Sequence, residues 1–198
     1  MHPNPAFRKE TTAQNLEFAR ARGFGALCVN GAEGPLLAHI PFEMVGGDTL
    51  RLHLARPNAI VRAQLPCPAV MAVMGPDGYI SPDWYGAPDQ VPTWNYIAVH
   101  LRGHIRPLPL DALEPHVNAV SDAFEARLAP KPIWRSSKMS GGVMERMMRA
   151  ILPFEMQITS VEGTWKLGQN KTPQARAGAI AGLRALGMDA LASHMEKV

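Results

Sequence analysis

The sequence predicts a mainly β fold with added helices, built on an antiparallel, barrel-like body. The first observation is that apolar and polar residues alternate with the two-residue period of a strand, in segments joined by short turns rich in Gly, Pro and Asp. The second is that this period changes to the 3.6 residues of a helix after Pro107. The predicted order is therefore a β body, a helical insertion at about 110–151, a closing strand and a helical tail at about 172–198.

The first predicted elements are a helix and a three-stranded meander. Thr11 and Thr12 precede the segment AQNLEFARARG, which is typical of a capped helix that ends at Gly23. The segments FGALCVN, LLAHIPFEMV and TLRLHLA then follow as strands, with turns at 31–35 and 46–48. Because these turns are short, we expect consecutive strands to pair antiparallel.

The segment ARPNAIVRAQL after the meander predicts a short helix that begins at Pro57 and Asn58. Basic residues before and within it are Arg51, His53, Arg56 and Arg62. They place positive charge close to the free backbone N–H groups of the helix start, where an anion is stabilised. Two interpretations stay open: a phosphate cradle, and an ordinary capped helix with solvated arginines.

Two further strands flank an aromatic-rich loop. PAVMAVMG predicts a strand buried on both faces, with a turn at 75–78 after it. From Trp94 to Pro107 one face is apolar and the other is aromatic and basic, which suits either a planar, anionic ligand or a partner subunit. His100 and His104 lie on that second face, ~13 Å apart along a strand, so they cannot share one metal ion.

The helical insertion is predicted to contain two helices. Asp111 and Glu114 suggest a capping box that opens the first helix, which ends before Pro130. The second helix runs over 140–151, and its methionines favour core packing over an adaptable binding surface. The segment FEMQITSVEGTWKL then returns to strand, and Thr172 begins the final helical region.

Composition and motifs exclude several classes of function. The 198 residues, 46% of them hydrophobic, indicate a single globular domain spanning 1–198, and a formal charge of +3 does not demand nucleic acid. No segment approaches the ~20 apolar residues of a membrane span. Cys28 and Cys67 are expected to be free thiols in a reducing cytoplasm, so we expect a soluble cytoplasmic protein.

The sequence also lacks the motifs of the common catalytic sites. It contains no nucleophile elbow, no zinc-ligand spacing, no Gly-x-Gly-x-x-Gly after a strand and no clear helix-turn-helix. We therefore expect no metal site and no Rossmann nucleotide site. The histidines outside the long strand are scattered, namely His2, His39, His53, His116 and His194.

Three long blocks resemble a known family. The blocks YISPDWY (79–85), VPTWNYIAVH (91–100) with Gly103, and EGTWKLGQNK (162–171) are similar to the signature blocks of the PaiB-like family of FMN-binding, negative transcriptional regulators. HLARPN (53–58) stands where that family has a matching segment, so the resemblance covers nearly the whole chain. Gly168 departs from the Ser expected there, which puts a side-chain hydrogen bond at that position in doubt.

The resemblance implies a six-stranded antiparallel Greek-key split barrel, similar to the pyridoxamine phosphate oxidase-like barrels. It also implies a homodimer with FMN in the groove between subunits. In such a site the FMN phosphate would need cationic and N–H donors, for which Arg56, Asn58 and Arg62 are our candidates. The candidates for an aromatic wall beside the isoalloxazine ring are Trp84, Tyr85, Trp94, Asn95 and Tyr96. The candidates for polar contacts at its edge, from the closing strand or from the partner chain, are Lys166, Gln169 and Asn170. For the tryptophans, packing in the core or at a dimer interface is the alternative.

Function stays open between three hypotheses. The first is a PaiB-like negative transcriptional regulator, for which DNA is a partner on the family resemblance alone. The second is a flavin-dependent oxidoreductase that acts on a small molecule, with the flavin carrying the redox chemistry. The third is a structural relative that has lost FMN.

Overall fold

A computed structural model describes residues 1–198, with six strands and five α-helices connected by short turns and 3-10 segments. The strands are β1 (Phe24–Gly31), β2 (Gly34–Val45), β3 (Thr49–Ala55), β4 (Cys67–Ile80), β5 (Thr93–Pro107) and β6 (Ile151–Lys166). The helices are α1 (Thr12–Arg22), α2 (Leu113–Glu125), α3 (Val143–Met148), α4 (Pro173–Ala185) and α5 (Asp189–Met195). None of these helices combines the length and the apolar character needed to cross a membrane.

The six strands close into a barrel in the order β1-β2-β3-β6-β5-β4. The first three form the predicted antiparallel meander, and β4 returns to pair with β1, where Ala26 lies opposite Ala72. A fourth strand that lies beside the first is the Greek-key arrangement. On the other side β3 pairs with β6, where Leu52 lies opposite Phe154. The predicted six-stranded Greek-key barrel is therefore confirmed.

The chain forms two compact units. The first consists of Met1–Asn15, Met74–Val99 and Glu162–Val198, and the second of Leu16–Val73 and His100–Val161. The largest buried side chains of the first unit include Ile80, Ile97, Leu183 and Leu191. Those of the second unit include Leu27, Leu50, Leu52, Met71, Leu101, Phe154 and Met156.

Local signals placed α1 and α4 correctly. The Thr11 hydroxyl accepts a hydrogen bond from the Gln14 backbone N–H at 3.2 Å, and the Gln14 side chain accepts one from the Thr11 N–H at 2.8 Å. This reciprocal pair is a capping box. Thr172 caps α4 in the same way, since its hydroxyl accepts from the Ala175 N–H at 3.3 Å. At the other end of α1, Gly23 has a φ of 60°, as expected for a helix that ends in glycine.

Two predictions about β4 are wrong. The strand runs through 75–78 without the expected turn. A Cβ atom at Gly78 would lie 2.7 Å from the Cε atom of Met188, so the end of that flexible side chain would have to shift. The strand is also not buried on both faces, since Met71 is fully buried whereas Met74 is 49% exposed. Glycine in this strand therefore marks a close approach of another element.

The helical insertion differs most from its prediction. A 3-10 turn (Leu110–Ala112) precedes α2, and no side chain caps the helix, so the capping box of Asp111 and Glu114 is wrong. α3 spans only Val143–Met148 and buries no residue, and Met147 is 60% exposed. The prediction of core packing for these methionines is therefore wrong as well.

Candidate functional site

The sequence-predicted site residues fall in both units. The phosphate candidates belong to the second unit: Arg56, Asn58 and Arg62. The candidates for the isoalloxazine ring all belong to the first unit: Trp84, Tyr85, Trp94, Asn95, Tyr96, Lys166, Gln169 and Asn170.

The predicted phosphate cradle is a tight turn. In place of an α-helix the chain forms a four-residue 3-10 segment, and the Asn58 side chain caps it by accepting from the Ile60 N–H at 2.9 Å. Arg62 donates to the Pro57 carbonyl at 3.1 Å, and Arg56 donates to the backbone carbonyl of Arg149. Both guanidinium groups are exposed and keep further N–H groups for a ligand.

A cleft of about 450 Å³ opens beside Arg56. Arg149 also lines this cleft, together with three carboxylates: Asp111, Glu114 and Glu145. Three negative charges against two positive ones make the cleft unfavourable for a phosphate dianion. A phosphate at this turn is therefore better placed on the Arg62 side, because Arg62 does not line the cleft.

The aromatic residues of the first unit divide into exposed and packed side chains. Trp94 and Tyr79 make an edge-to-face contact, with ring centroids 6.2 Å apart, and each is about half exposed, at 48% and 49%. Trp84 instead packs against α4, where a Cβ atom at Gly178 or Gly182 would overlap its backbone oxygen or its ring. Trp94 thus offers an aromatic surface to a ligand, whereas Trp84 already uses its ring to pack the helix.

Tyr85 is anchored by a lysine that the predicted site did not include. The Nζ atom of Lys171 lies 4.5 Å from the centre of the Tyr85 ring and donates to the Gln90 side chain at 2.6 Å. Tyr85 is 5% exposed, and burial raises the pKa of its phenol. The phenol therefore stays neutral at ordinary pH, beneath a fixed positive charge.

Lys166 is the most strongly desolvated cation of the predicted set. Its Nζ atom donates to the Thr93 hydroxyl and lies 5.9 Å from the centre of the Phe7 ring. Burial, followed by repulsion from Lys171, lowers the pKa of the Lys166 amine. A partly desolvated ammonium gains strongly from a nearby anion or carbonyl oxygen, so Lys166 suits the polar edge of a bound ring.

Two polar side chains predicted to contact the ligand already make hydrogen bonds within the protein. The Gln169 side chain accepts from the Leu167 N–H at 2.8 Å and donates to the Trp165 carbonyl at 2.5 Å. Asn95 is 1% exposed and donates to the sulfur of Met195 at 3.4 Å. The Gln169 side chain thus holds the backbone of its own segment, and the Asn95 side chain is buried against Met195.

The loop that follows β6 contains the residue that departs from the family pattern. Gly168 has a φ of +82°, a conformation that glycine adopts without strain. A Cβ atom there would have its nearest neighbour at 3.6 Å, so the backbone conformation, and not lack of space, favours glycine. In this loop Asn170 is exposed, while Tyr96 on β5 is half-buried.

Sequence reasoning missed a hydrogen-bonded chain in the second unit. His116 Nδ1 lies 2.8 Å from Oε1 of Glu43, and His116 Nε2 lies 3.2 Å from Nδ1 of His53. The His116 side chain is 1% exposed. Its signal in the sequence is its position three residues after Leu113 and four before Val120, on the buried face of α2. The partners lie 73 and 63 residues away, so no local pattern could have named them.

Comparison with known proteins identifies a family. The model of the family described as "Putative FMN-binding domain" matches residues 1–160. "Protease synthase and sporulation protein PAI 2" of Bacillus subtilis (strain 168) is 28% identical over 172 residues, which cover 84% of this chain and 82% of that protein. A second relative, "Uncharacterized protein AN0679" of Emericella nidulans, is 25% identical over 192 residues, with 77% and 76% covered.

Solved structures share the fold at low identity. The FAD and heme binding protein from Mycobacterium smegmatis has a TM-score of 0.57 at 17% identity, with 81% of this chain and 73% of that chain covered. The flavocytochrome Anf3 from Azotobacter vinelandii has a TM-score of 0.59 at 12% identity, with 83% and 72% covered. These likenesses support the six-stranded barrel.

Proposed function

Because the chain belongs to the FMN-binding, PaiB-like family and takes FMN as its cofactor, we propose that it is a homodimeric negative regulator of transcription. In this proposal FMN lies in the groove between two subunits, in the cytoplasm, and each chain is a single domain. The free thiols of Cys28 and Cys67 are in keeping with a reducing compartment.

The observation that carries the FMN site is the half-exposed pair of Tyr79 and Trp94. A flavin ring needs a flat aromatic surface, and these rings are not covered by their own unit. Lys166, in the same unit, supplies a desolvated ammonium for the polar edge of the ring. Arg56 and Arg62 supply guanidinium groups for the phosphate. Bound FMN would supply redox chemistry, so that the regulator could sense the redox state of the cell.

The aromatic part of the site is tested by FMN titration, followed by quenching of tryptophan fluorescence. We expect Trp94→Leu to weaken FMN binding by about fivefold to about 150-fold, since stacking on an aromatic ring contributes on the order of 1–3 kcal/mol. Trp134→Leu in the helical insertion is the matched control and should leave the affinity unchanged. Equal affinities for the wild type and Trp94→Leu would contradict the assignment of Trp94.

The phosphate part is tested by comparing FMN with riboflavin, which lacks the phosphate. The double variant Arg56→Ala/Arg62→Ala should lose affinity for FMN and keep its affinity for riboflavin, because only FMN carries the anion that the arginines bind. If both flavins lose affinity equally, the arginines shape the turn and do not bind phosphate.

The regulatory part is tested by binding to the promoter region of the protein's own gene at several salt concentrations. Phosphate contacts release counterions, so a DNA-binding dimer should weaken steeply as salt rises. Sedimentation of the same preparation tests the dimer. A protein that binds FMN but no DNA at low salt would contradict the regulator and favour a flavin-dependent oxidoreductase.

A further inference from the structure

A cavity of about 440 Å³, here called the outer groove, lies on the outside of the barrel in the second unit. It crosses four strands that are neighbours around the barrel, namely β6, β5, β4 and β1. Pockets that bind small molecules measure about 300–1,000 Å³, so the outer groove has the size of a ligand site. The side chains that decide its chemistry are Cys28, Asn30, Val70, Arg102, His104 and Ser160.

A close approach of β5 and β6 fixes one side of the outer groove. A Cβ atom at Gly103 on β5 would lie 1.9 Å from the carbonyl oxygen of Gln157 on β6, so this position requires glycine. The Thr159 hydroxyl on β6 donates a hydrogen bond to the backbone carbonyl of Arg102 at 3.3 Å. Successive residues of a strand point to opposite faces, so Arg102 and His104, on either side of Gly103, share the exposed face of β5.

The outer groove differs in charge from the cleft beside Arg56. That cleft has nearly the same volume, about 450 Å³, but three carboxylates line it. No carboxylate lines the outer groove, and Arg102 gives it a permanent positive charge. A guanidinium has five N–H donors, so a contact within the protein leaves others for a ligand. The outer groove is therefore suited to an anion.

The other side chains add hydrogen-bond donors and an apolar surface. His104 carries at least one ring N–H in either protonation state, and Asn30 and Ser160 are exposed and carry donors of their own. Cys28 on β1 lies directly opposite Val70 on β4, and both side chains are half-buried. A free thiol packs as a small apolar group, so these two residues form an apolar surface within the same cavity as Arg102.

We propose that the outer groove binds a small organic monocarboxylate, with the carboxylate at Arg102 and His104 and the apolar body against Cys28 and Val70. The two oxygens of a carboxylate match the paired N–H groups of a guanidinium. One guanidinium balances a single negative charge, whereas a phosphate monoester carries about two. The outer groove shares no residue with the proposed FMN contacts, so carboxylate binding needs no flavin.

The anion contacts are tested by calorimetric titration of the full chain with benzoate. Benzyl alcohol, which lacks the charge, should bind at least about tenfold more weakly than benzoate. Arg102→Gln should weaken benzoate binding by about tenfold to about 150-fold, because it removes a hydrogen bond between charged groups. Arg102→Lys keeps the charge but loses the paired donors, so its affinity should lie between the two. His104→Ala should weaken binding by about twofold to about tenfold, the effect of one ordinary hydrogen bond.

The matched control is Arg106→Gln. Arg106 lies on the same strand, two residues after His104, but it pairs with Glu155 and does not line the outer groove. This variant should bind benzoate as the wild type does. An equal loss of affinity in Arg102→Gln and Arg106→Gln would show a general effect of surface charge and overturn the site.

The position of the apolar body is tested by alkylation with iodoacetamide, followed by mass spectrometry of the two cysteine peptides. Cys28 lines the outer groove, whereas Cys67 does not and serves as the internal control. Benzoate at ten times its Kd should slow the alkylation of Cys28 about tenfold, because only about a tenth of the sites stay empty. The rate at Cys67 should not change. An unchanged rate at Cys28, or equal slowing at both cysteines, would contradict this placement of the ligand.

Three further results would overturn the proposal. They are no binding of benzoate by the wild type, equal binding by the wild type and Arg102→Gln, and tighter binding of phenyl phosphate than of benzoate. A Cys28 that reacts only after denaturation would show that the groove is closed to small molecules and would also overturn it. Arg102 is exposed, so its variants should stay folded, which circular dichroism checks. FMN affinity should be unchanged in Arg102→Gln, so a failure here is separate from a failure of the proposed FMN site.

Discussion

The helical tail and the helical insertion are both additions to the barrel, yet they are held in different ways. In the tail, α4 and α5 bury residues along their whole length: Ala175, Ala179, Leu183, Leu191, Ala192 and Met195. In the insertion, α2 buries three residues, Leu113, His116 and Val120, and α3 buries none. The tail is therefore part of the core of the first unit, whereas one face of α2 attaches the insertion to the second.

The glycines of the two regions have correspondingly different surroundings. Gly178 and Gly182 on α4 leave no room for a side chain, because Trp84 lies directly against them. Gly141 and Gly142, which precede α3, have no heavy atom within 4 Å of a Cβ position. Apolar spacing predicted helices in both segments, but close approach depends on small residues at the contact. An apolar period thus indicates a helix without showing how tightly it packs.

The largest effect expected from this comparison is on the core of the tail. Leu191→Ala should lower the free energy of unfolding by about 2–5 kcal/mol, because the side chain is 1% exposed and its removal leaves a cavity. Met147→Ala in α3 should change it by less than about 0.5 kcal/mol. Urea denaturation measures both. If the two variants lost the same stability, the distinction between tail and insertion would be wrong.

The next effect concerns glycine. Gly178→Ala should destabilise the protein by about 1–3 kcal/mol through overlap with the backbone oxygen of Trp84. The helix propensity gained by alanine, about 1 kcal/mol, opposes this loss but does not cancel it. Gly141→Ala is the matched change in the insertion and should be neutral or slightly stabilising. Thermal unfolding of the two variants compares them, and a stable Gly178→Ala protein would show that α4 can move away from Trp84.

A smaller effect should separate the two helix starts. Thr172→Ala should cost about 1 kcal/mol, since the Thr172 hydroxyl caps α4. Asp111→Ala should cost less than about 0.5 kcal/mol, because no side chain caps α2. Urea denaturation tests both changes. A larger loss of stability for Asp111→Ala would indicate that Asp111 caps α2, contrary to the structure.

Local chemistry explains which parts of the fold the sequence could predict. The meander and α1 follow from alternation, short turns and the capping residue Thr11, all within a few residues of one another. Gly78 was mistaken for part of a turn because its close neighbour in the fold, Met188, lies more than a hundred residues away in the sequence. α3 was overestimated because methionines at helical spacing look the same whether or not another surface covers them.

The candidate site was predictable in its residue types but not in its geometry. Trp94 and Trp84 both stand in aromatic blocks, and only the fold shows that one is half exposed and the other is packed against α4. Gln169 resembled a ligand-binding amide, yet its oxygen and nitrogen both bind the backbone of its own loop. The roles of these residues toward FMN stay predictions, and the titrations proposed above decide them.

The smallest effect we expect is a difference in the pH at which each helical region loses stability. Burial, followed by repulsion from Lys197, lowers the pKa of His194 in α5. The folded state therefore disfavours the charged ring, and the unfolded chain binds more protons once the pH falls below about 6.5. The contribution of His194 to the free energy of unfolding should therefore fall as the pH drops below about 6.5. It should level off below the pKa that His194 has in the folded state.

The stability contributed by Glu125 in the insertion should be lost only at lower pH. A side-chain hydrogen bond from Lys131, followed by one from the Trp134 N–H, lowers the pKa of Glu125. This carboxylate contributes stability above its unfolded pKa of about 4.5 and loses it as the pH falls through the folded value. Urea denaturation from about pH 8 to about pH 3 should show that His194→Gln flattens the first decline and Glu125→Gln the second. If His194→Gln left the loss of stability near pH 6.5 unchanged, that loss would come from another titrating group. His53 would be the first to test, because burial also lowers its pKa.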